Sequence, residues 1–123
     1  MPDPRMVLVV EDDADTRDLL CHLLHGHGYR TLVCGNGREA LELLETGATP
    51  GIVLLDLMMP IMGGERFVEA LRSHTEFART SIVVLTGDDS ARSRLGHHGV
   101  EVLLKPSDPH QLMATLHRHA AGS

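Results

Sequence analysis

The chain has 123 residues, a net charge of −6 at pH 7 and 42% hydrophobic residues, the proportions of one compact domain able to bury a core. No apolar run approaches the roughly 20 residues of a membrane span, and MPDPRM is too short and too acidic for a signal peptide, so the expected compartment is the cytoplasm. Aromatic residues make up 2% and no Lys/Arg cluster is present, which argues against phosphate steering, base stacking and hence direct nucleic-acid binding.

The apolar run from Met6 to Val10 predicts a first strand. Leu19, Leu20, Leu23 and Leu24 then form a helical stripe over residues 13 to 25, with Asp13 and Asp15 at its positive end and Gly26 and Gly28 behind it. Residues 30 to 34 read as a less apolar second strand, nearer an edge. Asn36 with Glu39 three residues on has the pattern of a capping box, and the helix it opens presents Ala40, Leu41, Leu43 and Leu44. Gly47 and Pro50 break the chain before the third strand, IVLL. Gly63-Gly64 leads into a helix with Phe67, Val68 and Leu71 apolar. Residues 81 to 85 give the fourth strand, and 102 to 104 the fifth. Between these two lies a weak helix over 90 to 95, in a stretch about one turn short and interrupted by Gly96 and Gly99. Pro109 suits the first turn of the last helix, striped by Leu112, Met113, Leu116 and Ala120.

Strand and helix alternate five times, and VLVV, IVLL and IVVL are apolar on both faces. A parallel sheet covered by helices on both sides requires this. The expected fold is a doubly wound (βα)5 α/β sandwich, which the family resemblance given below makes flavodoxin-like with strand order 2-1-3-4-5. In such sheets ligands gather at the carboxyl ends of the strands. Five groups fall there: Glu11 and Asp12 after strand one, Asp56 after strand three, Thr86 after strand four and Lys105 after strand five. The carboxylates repel one another, and Lys105 offsets only one of their charges. Either some of them stay protonated or a cation sits among them, and for a cation the all-oxygen donor set favours Mg²⁺, with Mn²⁺ as substitute, over zinc. Cys21 and Cys34 have no CxxC spacing and read as reduced core thiols. The nine histidines read as solvated surface residues, for His22 and His25 have no third ligand at suitable spacing.

In VLVVEDD, LLDLMMPIMGG, VVLTG and LLKP, taken in order, the chain resembles the receiver domain of two-component response regulators. The resemblance covers essentially the whole length: residues 1–123 as one receiver domain, core about 5–120, with no output domain in this chain. It implies that Asp56 takes a phosphoryl group from a phosphohistidine on a sensor histidine kinase or a histidine phosphotransfer protein. It also implies that Asp12, Asp56 and the Met58 carbonyl bind Mg²⁺, with Glu11 acting through a water. Thr86 and Lys105 are then the phosphoryl-contacting pair, and Lys105-Pro106 is the step where a cis peptide is expected. Met58 and Asp88 flank the approach of the hydrolytic water, Asp88 as a group able to align it. The phosphorylated surface signals to a downstream target protein.

Several positions depart from that family pattern. Glu11 stands where Asp is commoner. Val102 stands where Tyr or Phe is usual, Ser107 follows Pro106 in place of an aromatic, and the fourth helix is short. The first shifts the metal's second shell by a methylene; the others bear on the signal relay rather than on phosphotransfer. One rival reading is a degenerate receiver acting as an unphosphorylated interaction module; the presence of Asp12, Asp56 and Lys105 speaks against it. A flavin-binding relative would need a Ser/Thr/Gly-rich phosphate loop where this chain has EDDADT.

Overall fold

The computed structural model describes residues 3–56, 64–74, 77, 80–105 and 108–122. Five strands and five helices alternate: β1 (Asp3–Val10), α1 (Ala14–Gly26), β2 (Arg30–Cys34), α2 (Gly37–Glu45), β3 (Pro50–Asp56), α3 (Gly64–Ser73), β4 (Ser81–Thr86), α4 (Ala91–Leu95), β5 (Glu101–Leu104) and α5 (Pro109–Gly122). All strand pairs are parallel, in the order β2-β1-β3-β4-β5. The alternation of apolar runs and helical stripes called for the parallel sheet, and the order is the one the family resemblance implies.

Strand β3 lies at the centre and is buried at every residue, which is why its sequence is apolar without alternation. Odd and even positions serve different layers. Leu8, Val10, Val53 and Leu55 pack with Phe67, Val68 and Leu71 of α3 and with Ala40 and Leu44 of α2. Val7, Val9, Ile52 and Leu54 pack with Leu24 of α1 and with Leu112, Met113 and Leu116 of α5. Gly51 sits where β1 and β3 approach most tightly. A Cβ there would lie 2.6 Å from the Asp3 carbonyl oxygen and 2.8 Å from the Pro4 Cα, backbone atoms that cannot step aside.

Caps set the helix starts. The Asp13 carboxylate accepts the Thr16 backbone N–H at 3.0 Å and the Thr16 hydroxyl at 2.5 Å, which also holds the Asp13 carboxyl below its usual range. Asn36 accepts the Glu39 N–H at 2.9 Å, as the capping pattern predicts. The return bond from Glu39 reaches the N–H of Gly35, one residue earlier than a standard box.

The fourth helix is short, as expected. Five residues of α4 pass into a single 3-10 turn, Gly96–His98, that ends on Gly99 at φ +70°. In this region Arg72 of α3 supplies order. Its guanidinium donates to the carbonyls of His98 (2.8 Å), Thr80 (2.8 Å) and Phe77 (3.2 Å). Among the described residues, no helix is long and apolar enough to cross a membrane.

Candidate active site at the carboxyl edge of the sheet

The register of the ladder decides which residues meet. Val10 pairs with Leu55, so Glu11 and Asp12 leave β1 beside the end of β3, where Asp56 sits opposite Leu85. Thr86 pairs with Leu104, and the Lys105 N–H donates to the Thr86 carbonyl at 2.7 Å. Five residues from four strands therefore share one edge.

Carboxylate oxygens of Glu11, Asp12 and Asp56 lie within 4.8 Å of one another. Lys105 Nζ stands 3.4 Å from Asp56 Oδ2. Glu11 and Thr86 are buried, Asp56 is 9% exposed and Asp12 is open to solvent. At that spacing each pair of ionised carboxylates repels by about 3 kcal/mol at an effective dielectric near 20. The protein meets this repulsion at its most buried member. Burial and, next to it, the hydrogen bond and charge of Asp56 push the Glu11 carboxyl up to about 7, against the pull of the Asp13 N–H that it accepts at 3.2 Å. All donors in the cluster are carboxylate oxygens, a set that fits a hard divalent cation.

A pH dependence follows. Between about 4.5 and 7 the folded protein keeps a proton on Glu11 that the unfolded chain has released. Stability therefore falls as pH rises through that window. Without divalent cations, denaturant unfolding at pH 5 and pH 8 should show wild type losing on the order of 2 kcal/mol more than Glu11→Gln. Equal pH slopes for the two proteins would contradict the assignment.

The β4–α4 loop closes one side. The Thr86 hydroxyl oxygen accepts the Asp88 N–H at 3.1 Å. Asp88 does not present a free carboxylate. Its Oδ1 accepts the N–H and the hydroxyl of Ser90, at 2.9 and 2.7 Å, and its Oδ2 pairs with Arg94 at 2.8 Å. The Ser90 and Arg94 bonds hold the carboxyl down to about 2. Among the described residues, a Cβ on Gly87 would meet nothing within 4 Å. Met58, Pro106 and Ser107 lie outside the described residues.

Two contacts here carry no local sequence signal. Arg17 of α1 donates to the Glu11 carbonyl at 3.1 Å and fixes the turn after β1. Arg94 also reaches Glu65 in the first turn of α3. On the neighbouring strand β2, the Cys34 thiol is buried and raised to about 11, which suits an inert core thiol. His25 bonds Thr31, His117 bonds Tyr29 and His119 bonds Glu101.

Comparison with known proteins points to one family. The family model of the response regulator receiver domain matches residues 7–117. The sensor histidine kinase TmoS of Ectopseudomonas mendocina is 38% identical over 115 residues, 91% of this chain and 12% of that protein. The DNA-binding response regulator MtrA of Mycobacterium tuberculosis is 32% identical over 108 residues, 88% of this chain and 47% of that protein. The chain thus spans a minor part of the length of both relatives. The crystal structure of a putative response regulator from Chloroflexus aurantiacus superposes with a TM-score of 0.89 at 28% identity, covering 97% of this chain and 99% of that one.

Proposed function

The chain belongs to the response regulator receiver domain family of two-component signalling, and from that premise we propose that Asp56 is its phosphoacceptor. The phosphoryl group comes from a phosphohistidine on a sensor histidine kinase or a histidine phosphotransfer protein, in a Mg²⁺-dependent reaction. The observation that carries this reading is the cluster itself: three carboxylates within 4.8 Å and a lysine ammonium 3.4 Å from one of them.

Asp12 and Asp56 would hold the ion, with Glu11 contributing through a water and the Met58 carbonyl completing the set that the family resemblance implies; Mn²⁺ would be able to substitute. When bound, the ion neutralises charge on the phosphoryl oxygens. The Asp56 carboxylate attacks phosphorus, the phosphorus–nitrogen bond to the donor imidazole breaks, and its electron pair leaves with the ring. An acyl phosphate results. Lys105 donates to a phosphoryl oxygen as negative charge grows there. The Thr86 hydroxyl can accept the Asp88 N–H and still donate its own proton to the new group. Residues 1–123 act as one cytoplasmic receiver domain. Its changed surface signals to a downstream protein and makes no direct contact with nucleic acid.

The test is incubation with Mg²⁺ and acetyl phosphate, with the adduct mapped by mass spectrometry. Label should appear on Asp56. Lys105→Ala should slow labelling by roughly 10²-fold, the usual loss for one donor to a developing oxyanion. Affinity for Mg²⁺ should change little, since Lys105 faces the phosphoryl group. Wild-type labelling kinetics in Lys105→Ala would remove that residue from the mechanism.

A further inference from the structure

We propose that Arg17 is a positioning residue for the divalent cation: by holding the Glu11 carbonyl it aims the Asp12 carboxylate at the ion, and this rests on the Mg²⁺-dependent phosphoacceptor reading above. Glu11, Asp12 and Asp56 bring carboxylate oxygens within 4.8 Å of one another. Two of the three are set by their surroundings. Asp56 ends the buried strand β3, and Glu11 is itself buried. Asp12 is exposed, so packing does not aim it. Its direction depends on the backbone of the turn between β1 and α1.

That turn is pinned at both ends. The Glu11 N–H donates to the Cys34 carbonyl of β2 at 3.0 Å. The Glu11 carboxylate accepts the Asp13 N–H at 3.2 Å, and the Asp13 carboxylate accepts the Thr16 N–H at 3.0 Å. Between these anchors lies the peptide unit that joins Glu11 to Asp12. Arg17 Nη1 donates to its carbonyl oxygen at 3.1 Å. A peptide unit is planar, so holding the oxygen also fixes the nitrogen from which the Asp12 Cα hangs. Arg17 is in turn fixed by α1, its N–H bonded to the Asp13 carbonyl at 2.9 Å. Its half-buried side chain lies against the β2–α2 turn, where a Cβ on Gly35 would come 4.0 Å from Nη1 and 3.3 Å from Glu39 Oε1. The bond to Glu11 is partly buried, which makes it stronger than the same bond in open water.

Charge alone would act in the opposite sense. A guanidinium repels a dication, so deleting it would tighten metal binding. Loss of the bond to Glu11 instead frees the Asp12 peptide to turn and weakens binding, by about tenfold, the low end of the usual effect of a group that orients a metal ligand. The experiment measures Mn²⁺ affinity from the electron paramagnetic resonance of the free ion, and Mg²⁺ affinity by calorimetry. Arg17→Met should bind both ions more weakly than wild type. Arg17→Lys keeps the charge but replaces the fork by one ammonium, and should fall between. In the metal-free protein, hydrogen exchange at the Asp12 and Asp13 amides should quicken in Arg17→Met while β1 and β3 stay as protected as in wild type. Labelling of Arg17→Met by acetyl phosphate should be slow at limiting Mg²⁺ and return to within about twofold of wild type at saturating Mg²⁺, the pattern of lost binding rather than lost chemistry. Equal or tighter metal binding in Arg17→Met overturns the proposal. Should that variant fail to fold, Arg17→Lys decides: affinity about threefold weaker supports the proposal, and wild-type affinity overturns it. Failure of the wild type to bind either ion, or to take label on Asp56, overturns the phosphoacceptor reading instead.

Discussion

Asp56→Asn should end phosphorylation altogether. The amide keeps the shape of the side chain but has no carboxylate oxygen with which to attack phosphorus. Labelling by acetyl phosphate should drop to background, a loss of well over 10²-fold on the scale of removing a nucleophile. The fold should persist, because the substitution relieves repulsion among carboxylates within 4.8 Å of one another and retains the volume. Melting of the metal-free variant should therefore occur at or above the wild-type temperature. Chelation of Mg²⁺ should abolish labelling of wild type, and Asp12→Ala should come close to doing so. Full-yield labelling of Asp56→Asn would send the search to another nucleophile.

Arg72→Met should be the most destabilising of the substitutions discussed. The guanidinium donates to three backbone carbonyls, at Phe77, Thr80 and His98. Burial lowers its pKa, yet its bonds retain it. Methionine can fill much of the space but donates to none of the three oxygens; the Phe77 carbonyl keeps the Thr80 N–H at 3.1 Å, and an acceptor left alone costs about 1–3 kcal/mol. Some of them will find water, so the expected loss is about 3 kcal/mol, or a fall in melting temperature of roughly 10 °C. The change should be concentrated locally. Hydrogen exchange should quicken in α4 and the turn Gly96–His98 before it does in β3. A variant within about 0.5 kcal/mol of wild type would show that the three bonds are replaced without cost.

The carboxyl-edge residues were legible because the sheet makes strand ends coincide. IVLL stops at Asp56, VLVV stops at Glu11, and a parallel ladder brings such ends together whatever the loops do. The short fourth helix was legible too, since ARSRL runs directly into a glycine-interrupted stretch. The Arg72 and Arg94 contacts were not. Arg72 and His98 are separated by 26 residues, and Arg94 and Glu65 by 29. A long flexible side chain that reaches across a fold leaves no period and no motif. Asp88 shows the same limit from the other side. Its place near Thr86 followed from spacing, but the direction of its carboxylate depended on an arginine in a later helix. Glu39 illustrates a smaller one: the capping pattern predicted its helix, while the bond it makes falls one residue earlier.

The five site residues divide between two strand pairs, and that division has a mechanical consequence. All three acids come from β1 and β3, which are hydrogen-bonded neighbours, whereas Thr86 and Lys105 come from β4 and β5, joined by the 2.7 Å bond between Lys105 N–H and Thr86 carbonyl. The site is a seam between a negatively charged half and a half that carries the hydroxyl and the ammonium. A group added to Asp56 touches both halves at once. Any small slide of β4 and β5 against β3 alters the reach of Lys105 without changing the spacing among the acids. The acidic spacing is therefore set by β1 and β3 and not by β4 or β5, while the Arg94 bridge links α4 to Glu65 of α3.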